Sequence, residues 1–292
     1  MRYDIRLTID YDYAAPSDHA RNILRLLPSD GPRQRVVSRM LTISPLPDDR
    51  RDGVDFFGNA TSSVGWHQPI KRARFQVQAR AERLAEAELD LSPPLADLGA
   101  ALAATGLGPT SPQHFRAPSP RIPGIEAITA FARAALPPAP TARQAVQAVG
   151  QALHGAMTFD ATATDVATPP DQAFAARRGV CQDFAQIMIA GLRAIGLPAG
   201  YVSGFLRTNP PPGQPRLEGV DAMHAWVSAW CGPDQGWVEY DPTNAQWAGQ
   251  DYITVAMGRD YGDVAPVRGA IRTAGGHDSR HSVDVLPIGD AP

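Results

Sequence analysis

Only two cysteines, Cys181 and Cys231, occur among the 292 residues. That count cannot build a disulfide framework, and it points to a reducing, cytoplasmic setting. The chain also lacks an apolar run near the ~20 residues of a membrane span. Met1-Arg2-Tyr3-Asp4-Ile5-Arg6 carries nothing like the apolar core of a signal peptide. No lysine- or arginine-rich cluster stands out, and 27 basic residues against 30 acidic ones leave a formal charge of −3. Nucleic acid and membrane surfaces are therefore not expected partners. His-Glu-x-x-His and Cys-x-x-Cys patterns are absent, so neither a metal nor a cofactor is expected. A metal hydrolase would have to use His277 and His281, whose Gly-, Asp- and Ser-rich surroundings predict a solvated turn.

What remains is a composition of 43% hydrophobic and 20% charged residues, ordinary for a globular protein long enough to bury a sizeable core. Tyr3, Ile5, Leu7, Ile9, Tyr11 and Tyr13 alternate with polar residues and predict a half-buried strand. Val36 to Ile43, Val54 to Phe57 and Ala73 to Ala81 predict further strands, separated by proline and glycine turns. This pattern predicts a small antiparallel β-sandwich over residues 1–85, suited to packing or partner recognition. His19 and His67 read as isolated surface or structural histidines. Residues 86–123 form a helical and proline-rich connector. Ile125 to Ala135 and Thr141 to Met157 predict helices, the second with Thr141 as N-cap.

The chemistry concentrates in residues 124–292. Phe184, Ala185, Met188 and Leu192 recur at helical spacing after Cys181, and Gly196 and Pro198 end the pattern. Cys181 thus opens a helix packed into the core, just after Gly179, which permits an unusual backbone turn. The positive end of the helix macrodipole favours a thiolate there. The competing reading is a small buried hydrophobe, the commoner fate of an arbitrary cysteine. Ala199 to Leu206 predicts a strand. Ala222 to Trp230 and Trp237 to Asp241 predict a hairpin about Gly232-Pro233. A turn centred between those two residues sets His224 directly opposite Asp241, with Cβ atoms about 4.5–5.5 Å apart. The carboxylate would fix the imidazole's tautomer and aim it at a third group, for which Cys181 is the natural candidate. Trp226, Trp237 and the Asn209 to Pro215 loop are candidates for lining a groove, with core packing the alternative for the tryptophans.

Three stretches carry a family resemblance: Arg178-Gly179-Val180-Cys181-Gln182-Asp183-Phe184-Ala185, His224-Ala225-Trp226 and Tyr240-Asp241-Pro242-Thr243-Asn244. Together with Gly258-Arg259-Asp260-Tyr261-Gly262-Asp263-Val264 they resemble bacterial transglutaminase-like proteins, and the likeness covers nearly the whole chain. The resemblance implies an α+β fold with a papain/transglutaminase-like core behind the N-terminal β-sandwich. It implies Cys181 as nucleophile, His224 as base and acid, and Asp241 as orienting carboxylate. Gln182, Asp183, Trp226 and Asn244 are expected to support the triad or contact substrate. Gln186 and Tyr252 depart from the family, which often carries histidine at both positions, and neither is expected to touch the triad. Arg259, Asp260 and Asp263 read as an internal ion-pair cluster, and Cys231 as inert.

The reading that follows is cysteine-dependent acyl transfer at the amide bonds of a peptide or protein, by hydrolysis or transamidation. A catalytically silent binding module with a vestigial site is the rival reading.

Overall fold

The computed structural model describes residues 1–17, 19–84, 89–208, 219 and 221–289. Strands β1 (Arg2–Ser17), β2 (His19–Leu24), β3 (Gln34–Ser44), β4 (Asp49–Val54), β5 (Ala60–Trp66) and β6 (Ile70–Arg83) come first. Helices α1 (Leu98–Ala103), α2 (Glu126–Ala134) and α3 (Ala142–Ala156) follow. Next are β7 (Thr158–Phe159), α4 (Pro170–Ala176), β8 (Arg178–Gly179) and α5 (Cys181–Ala194). Strands β9 (Ala199–Leu206), β10 (Ala222–Trp230), β11 (Trp237–Asp241), β12 (Gln246–Trp247) and β13 (Tyr252–Gly258) lead to α6 (Tyr261–Val264). The last strands are β14 (Val267–Arg272) and β15 (His277–Ile288). Among the described residues no helix is long and apolar enough to cross a membrane.

The alternation in β1 and β6 decides the first layer. Tyr3, Ile5, Leu7 and Ile9 turn inward with Phe75, Val77, Ala79 and Ala81 from the antiparallel neighbour. On the outer face the same register sets Asp4 against Arg80, Asp10 against Arg74 and Asp12 against Arg72, each an ion pair. Such exposed pairs add little energy, but opposite charges across the ladder favour this register over others. The two sheets of the sandwich run β15-β1-β6-β3 and β14-β2-β5-β4. Trp66 meets Phe75 between them, ring centroids 6.4 Å apart.

The α+β class predicted from the sequence is the one observed, but residues 267–288 join a different part of it. The sequence reading leaves them with residues 124–292. Instead β14 pairs with β2 and β15 with β1, so the C-terminal strands complete both sheets of the sandwich. His277 and His281 accordingly sit on an extended strand and not in a turn. Four residues along a strand span about 13 Å, too far for both rings to hold one ion. Strands β2, β5 and β13 were also missed, and Asp55 to Phe57 falls outside β4. His19 and His67 are not isolated: their rings meet edge to face at 6.4 Å, and His67 Nε2 lies 2.6 Å from Asp49.

The second half is an antiparallel sheet in the order β12-β11-β10-β9-β13, with α5 against β10 and β9. Helices α2, α3 and α4 close over α5 from the other side. The helical spacing after Cys181 predicts one buried face, yet every residue from Gln182 to Arg193 is buried. The periodicity is real, and the surrounding helices cover what it leaves polar. Phe184, Ile187, Met188, Ile189 and Leu192 are all within 1% of complete burial, each stabilising the fold by roughly 1.5–3 kcal/mol. Thr141 caps α3 as predicted, its hydroxyl accepting from the Gln144 N–H while the Gln144 side chain accepts from the Thr141 N–H.

Strand β13 would be an open edge, and side chains of the sandwich close it. Gln34 accepts from the Thr254 N–H at 2.8 Å and donates to the Thr254 carbonyl at 2.7 Å. Asn59 does the same for Met257, with both bonds at 2.8 Å. Each carboxamide supplies the donor and acceptor a neighbouring strand would have supplied. The sandwich and the α/β half are joined through this edge.

Candidate active site

The backbone turns into α5 at Val180, which is extended (φ −100°, ψ 177°). Its N–H donates to Asp183 Oδ2 at 2.8 Å, and the Thr164 hydroxyl donates to the same oxygen. Asp183 therefore fastens the start of the helix, and with it Cys181, to the loop before α4. Burial dominates its environment and raises its carboxyl pKa, against the bonds from Thr164 and Val180. Gly179 is required by this cap: a Cβ there would lie 2.4 Å from Asp183 Oδ2. The residue with left-handed backbone is Arg177 (φ 54°). The glycine serves close approach, where the sequence reading assigned it an unusual turn.

His224 approaches from β10 and Asp241 from the end of β11. Nε2 of His224 lies 2.7 Å from Asp241 Oδ2, with both side chains nearly buried. The register differs from the one predicted. Val227 pairs with Tyr240 and Trp230 with Trp237, so the turn is centred one residue later. Extended along the strands, that register sets Asp241 opposite Trp226 and makes His224 its diagonal neighbour. A shift of two positions keeps side-chain parity, so both residues remain on one face.

Asp241 is fully buried and saturated with donors. Oδ2 accepts from His224, the Tyr252 hydroxyl at 2.7 Å and Asn244 Nδ2 at 2.7 Å. Oδ1 accepts from the Thr243 N–H at 2.8 Å and the Asn244 N–H at 3.2 Å. Burial works to raise this carboxyl, and the bonds from His224, Tyr252 and Asn244 overcome it and hold the pKa low. Tyr252 thus touches the site directly, contrary to expectation. Its hydroxyl is pushed well above the ordinary tyrosine range by burial and the Asp241 charge, so it donates and does not ionise.

Burial alone would lower the His224 pKa. The bond to Asp241 and the nearness of Cys181, with the attraction of both groups, reverse this and raise it to about 10. Because Nε2 is committed to Asp241, Nδ1 is the nitrogen left for Cys181. Three elements, α5, β10 and β11, thus bring Cys181, His224 and Asp241 together, with His224 bonded to Asp241 and sharing a cleft with Cys181.

The remaining candidates divide. Asn244 supports Asp241, and Gln182 donates to the Val166 carbonyl at 3.3 Å beside Cys181. Trp226 is fully buried and stacks on His224 instead of lining a groove. The Asn209 to Pro215 loop lies outside the described residues. Cys181 and His224 open into a cleft of about 280 Å³, whose walls include Asp165, Gln182, Tyr201, Ser203, Met223 and Tyr261. Tyr201, Ser203 and Tyr261 were not singled out from the sequence; Tyr201 and Ser203 share a strand face, which alternation alone could have signalled. Larger grooves lie on the outer faces of the sandwich, and none includes Cys181. In the segment after β13, Arg259 pairs with Asp263 at 2.8 Å as expected, whereas Asp260 caps α6 by accepting from the Gly262 N–H.

A family profile described as the transglutaminase-like superfamily matches residues 129–242, a span that contains Cys181, His224 and Asp241. A second, described as the bacterial transglutaminase-like N-terminal region, matches residues 3–82. An uncharacterized protein of Mycobacterium tuberculosis is 35% identical over 99% of this chain and 94% of its own length. A protein-glutamine gamma-glutamyltransferase of Pseudomonas aeruginosa is 39% identical over 90 residues, 30% of this chain but 13% of that protein. A crystal structure from Cytophaga hutchinsonii, described as a candidate cysteine protease, covers 100% of this chain and 93% of its own. Its TM-score of 0.73 at 19% identity speaks for a shared fold.

Proposed function

This chain belongs to the transglutaminase-like superfamily, and from that premise we propose that it is a cysteine-dependent acyl-transfer enzyme acting on amide bonds of peptides or proteins. The observation that carries this reading is the Asp241–His224 bond at 2.7 Å, beside a cleft that His224 shares with Cys181 at a helix start.

The Cys181 sulfur attacks the carbonyl carbon of a bound carboxamide or peptide, and the carbonyl electrons move to oxygen. The Cys181 N–H, at the first turn of α5, is placed to donate to that oxyanion. His224, protonated and held by Asp241, gives its Nδ1 proton to the departing nitrogen. The C–N bond breaks, the amine leaves, and the acyl group remains on Cys181 as a thioester. Water or a second amine then attacks, neutral His224 takes its proton, and the thiolate departs. Both outcomes share the first half, so the choice between acid and new amide falls to whichever nucleophile reaches the cleft.

The test is acyl-enzyme trapping by mass spectrometry with glutamine-containing and short peptides. A thioester on Cys181 is expected, absent in folded Cys181→Ala and His224→Ala proteins. Turnover unchanged in Cys181→Ala would overturn the mechanism.

A further inference from the structure

Glu239 lies on β11 two residues before Asp241, hence on the same face of the sheet. Its Oε2 accepts from Trp226 Nε1 at 3.2 Å and forms an ion pair with Arg83 Nη2 at 2.5 Å. Arg33 stands 3.9 Å from the other carboxylate oxygen. Both arginines belong to the sandwich: Arg83 ends β6 and Arg33 precedes β3. Arg83 is only 2% exposed and also donates to Thr254 Oγ1 at 3.4 Å. On the other side of Trp226, the indole stacks on the His224 imidazole, centroids 6.2 Å apart and planes 26° from parallel. Tyr252 meets the same indole edge-on at 5.2 Å. Gly204 admits the ring; a Cβ there would sit 2.5 Å from it.

We infer that Glu239 is a positioning residue: clamped by Arg83 of the N-terminal sandwich, it anchors Trp226 beneath the His224 ring, making the sandwich part of the apparatus that assembles the triad. Neither Glu239 nor Arg83 lines the cleft, so their effect reaches the chemistry only through Trp226 and His224. Asp241 fixes one nitrogen of the imidazole, and the tilt of the ring plane depends on what lies beside its faces. A planar neighbour beside that face limits the tilt, and the anchored indole N–H, together with the packing of Tyr252, fixes where that neighbour lies. The Arg83 fork is held from two sides, so the anchor is rigid. The inference rests on the triad reading above.

The experiment follows Cys181 alkylation by iodoacetamide across pH, site by site, in full-length Glu239→Gln, Trp226→Phe and His224→Ala proteins. Glu239→Gln leaves Arg83 buried without its counter-ion. Trp226→Phe keeps that ion pair while removing the anchored N–H together with the larger indole ring beside His224, and decides the matter if Glu239→Gln does not fold. The expected result is at least a tenfold slower reaction at neutral pH in both variants, with a displaced pH inflection. Neither substitution should slow the reaction further in a His224→Ala background. A folded Trp226→Phe protein with the parent's rate and inflection, beside an impaired His224→Ala protein, overturns the inference and spares the triad. A parent-like rate in His224→Ala overturns the triad reading, and the inference with it.

Discussion

His224 and Asp241 are diagonal neighbours on one face of the β10–β11 pair, joined through Nε2 and Oδ2 at 2.7 Å. Diagonal positions across an antiparallel pair lie about 7–8 Å apart, within reach of a histidine and an aspartate side chain. The carboxylate is held at Oδ1 by the Thr243 and Asn244 backbone N–H groups and at Oδ2, beside His224, by the Tyr252 hydroxyl and the Asn244 side chain.

Asp241→Asn should lower peptide turnover about 10²–10⁴-fold, the usual worth of positioned acid–base catalysis. The amide cannot accept from three donors at Oδ2 while its own N–H₂ needs partners. Alkylation of Cys181 should slow in parallel. An unchanged rate of both would remove Asp241 from the site.

Tyr252→Phe deletes one donor to a buried carboxylate. Such a bond to a charged acceptor contributes about 1.5–3 kcal/mol, so urea unfolding should show a loss in that range. Turnover should fall less than in Asp241→Asn, because His224 and Asn244 still bind Oδ2. Stability equal to the parent would show that the hydroxyl is dispensable.

Gly179→Ala should disturb the start of α5, since the new methyl would meet Asp183 Oδ2 and Cβ at 2.4 and 2.8 Å. Overpacking of this kind costs about 1–3 kcal/mol. The Asp183 cap would shift, and Cys181 with it. Thermal unfolding and Cys181 alkylation, measured together, should both decline.

Stability should depend on pH in two windows. The His224 pKa is raised from 6.5 to about 10 in the folded protein. Its contribution is therefore full below 6.5 and lost as pH rises through about 10. The Asp241 pKa is lowered from 3.8, so its contribution is full above that value and lost in more acid solution. Cys181→Ala removes one of the groups that raise His224 and should move the alkaline loss to lower pH. Urea titrations between pH 6 and 10 on parent and variant read this shift; identical alkaline limbs would exclude the Cys181–His224 contact.

Iodoacetamide should distinguish the two thiols. Cys231 is completely buried, and burial pushes its thiol well above the ordinary range. Cys181 is partly exposed at the cleft. Folded protein should label at Cys181 alone, and Cys231 only after unfolding. Labelling of Cys231 at a comparable rate would contradict this burial.

Local patterns made much of the molecule legible. The alternation from Tyr3 to Tyr13, the Thr141 cap and the helix opened by Cys181 are governed by neighbours within a few residues, and sequence alone placed them. The pairing of His224 with Asp241 survived an incorrect register because a two-residue slip preserves parity. Other features depend on partners far along the chain. Nothing near residues 277–288 says that they extend beside β1, since the β1 positions that pair with them are more than 260 residues away. Tyr252 and Glu239 carry ordinary strand side chains, whose roles emerge only when Asp241, Trp226 and Arg83 converge on them. The sequence by itself determined the helix that Cys181 opens and set His224 and Asp241 on one face of a strand pair. Only the tertiary structure decided what surrounds them, because a buried charge takes its partners from whichever elements pack against it and not from its neighbours in the chain.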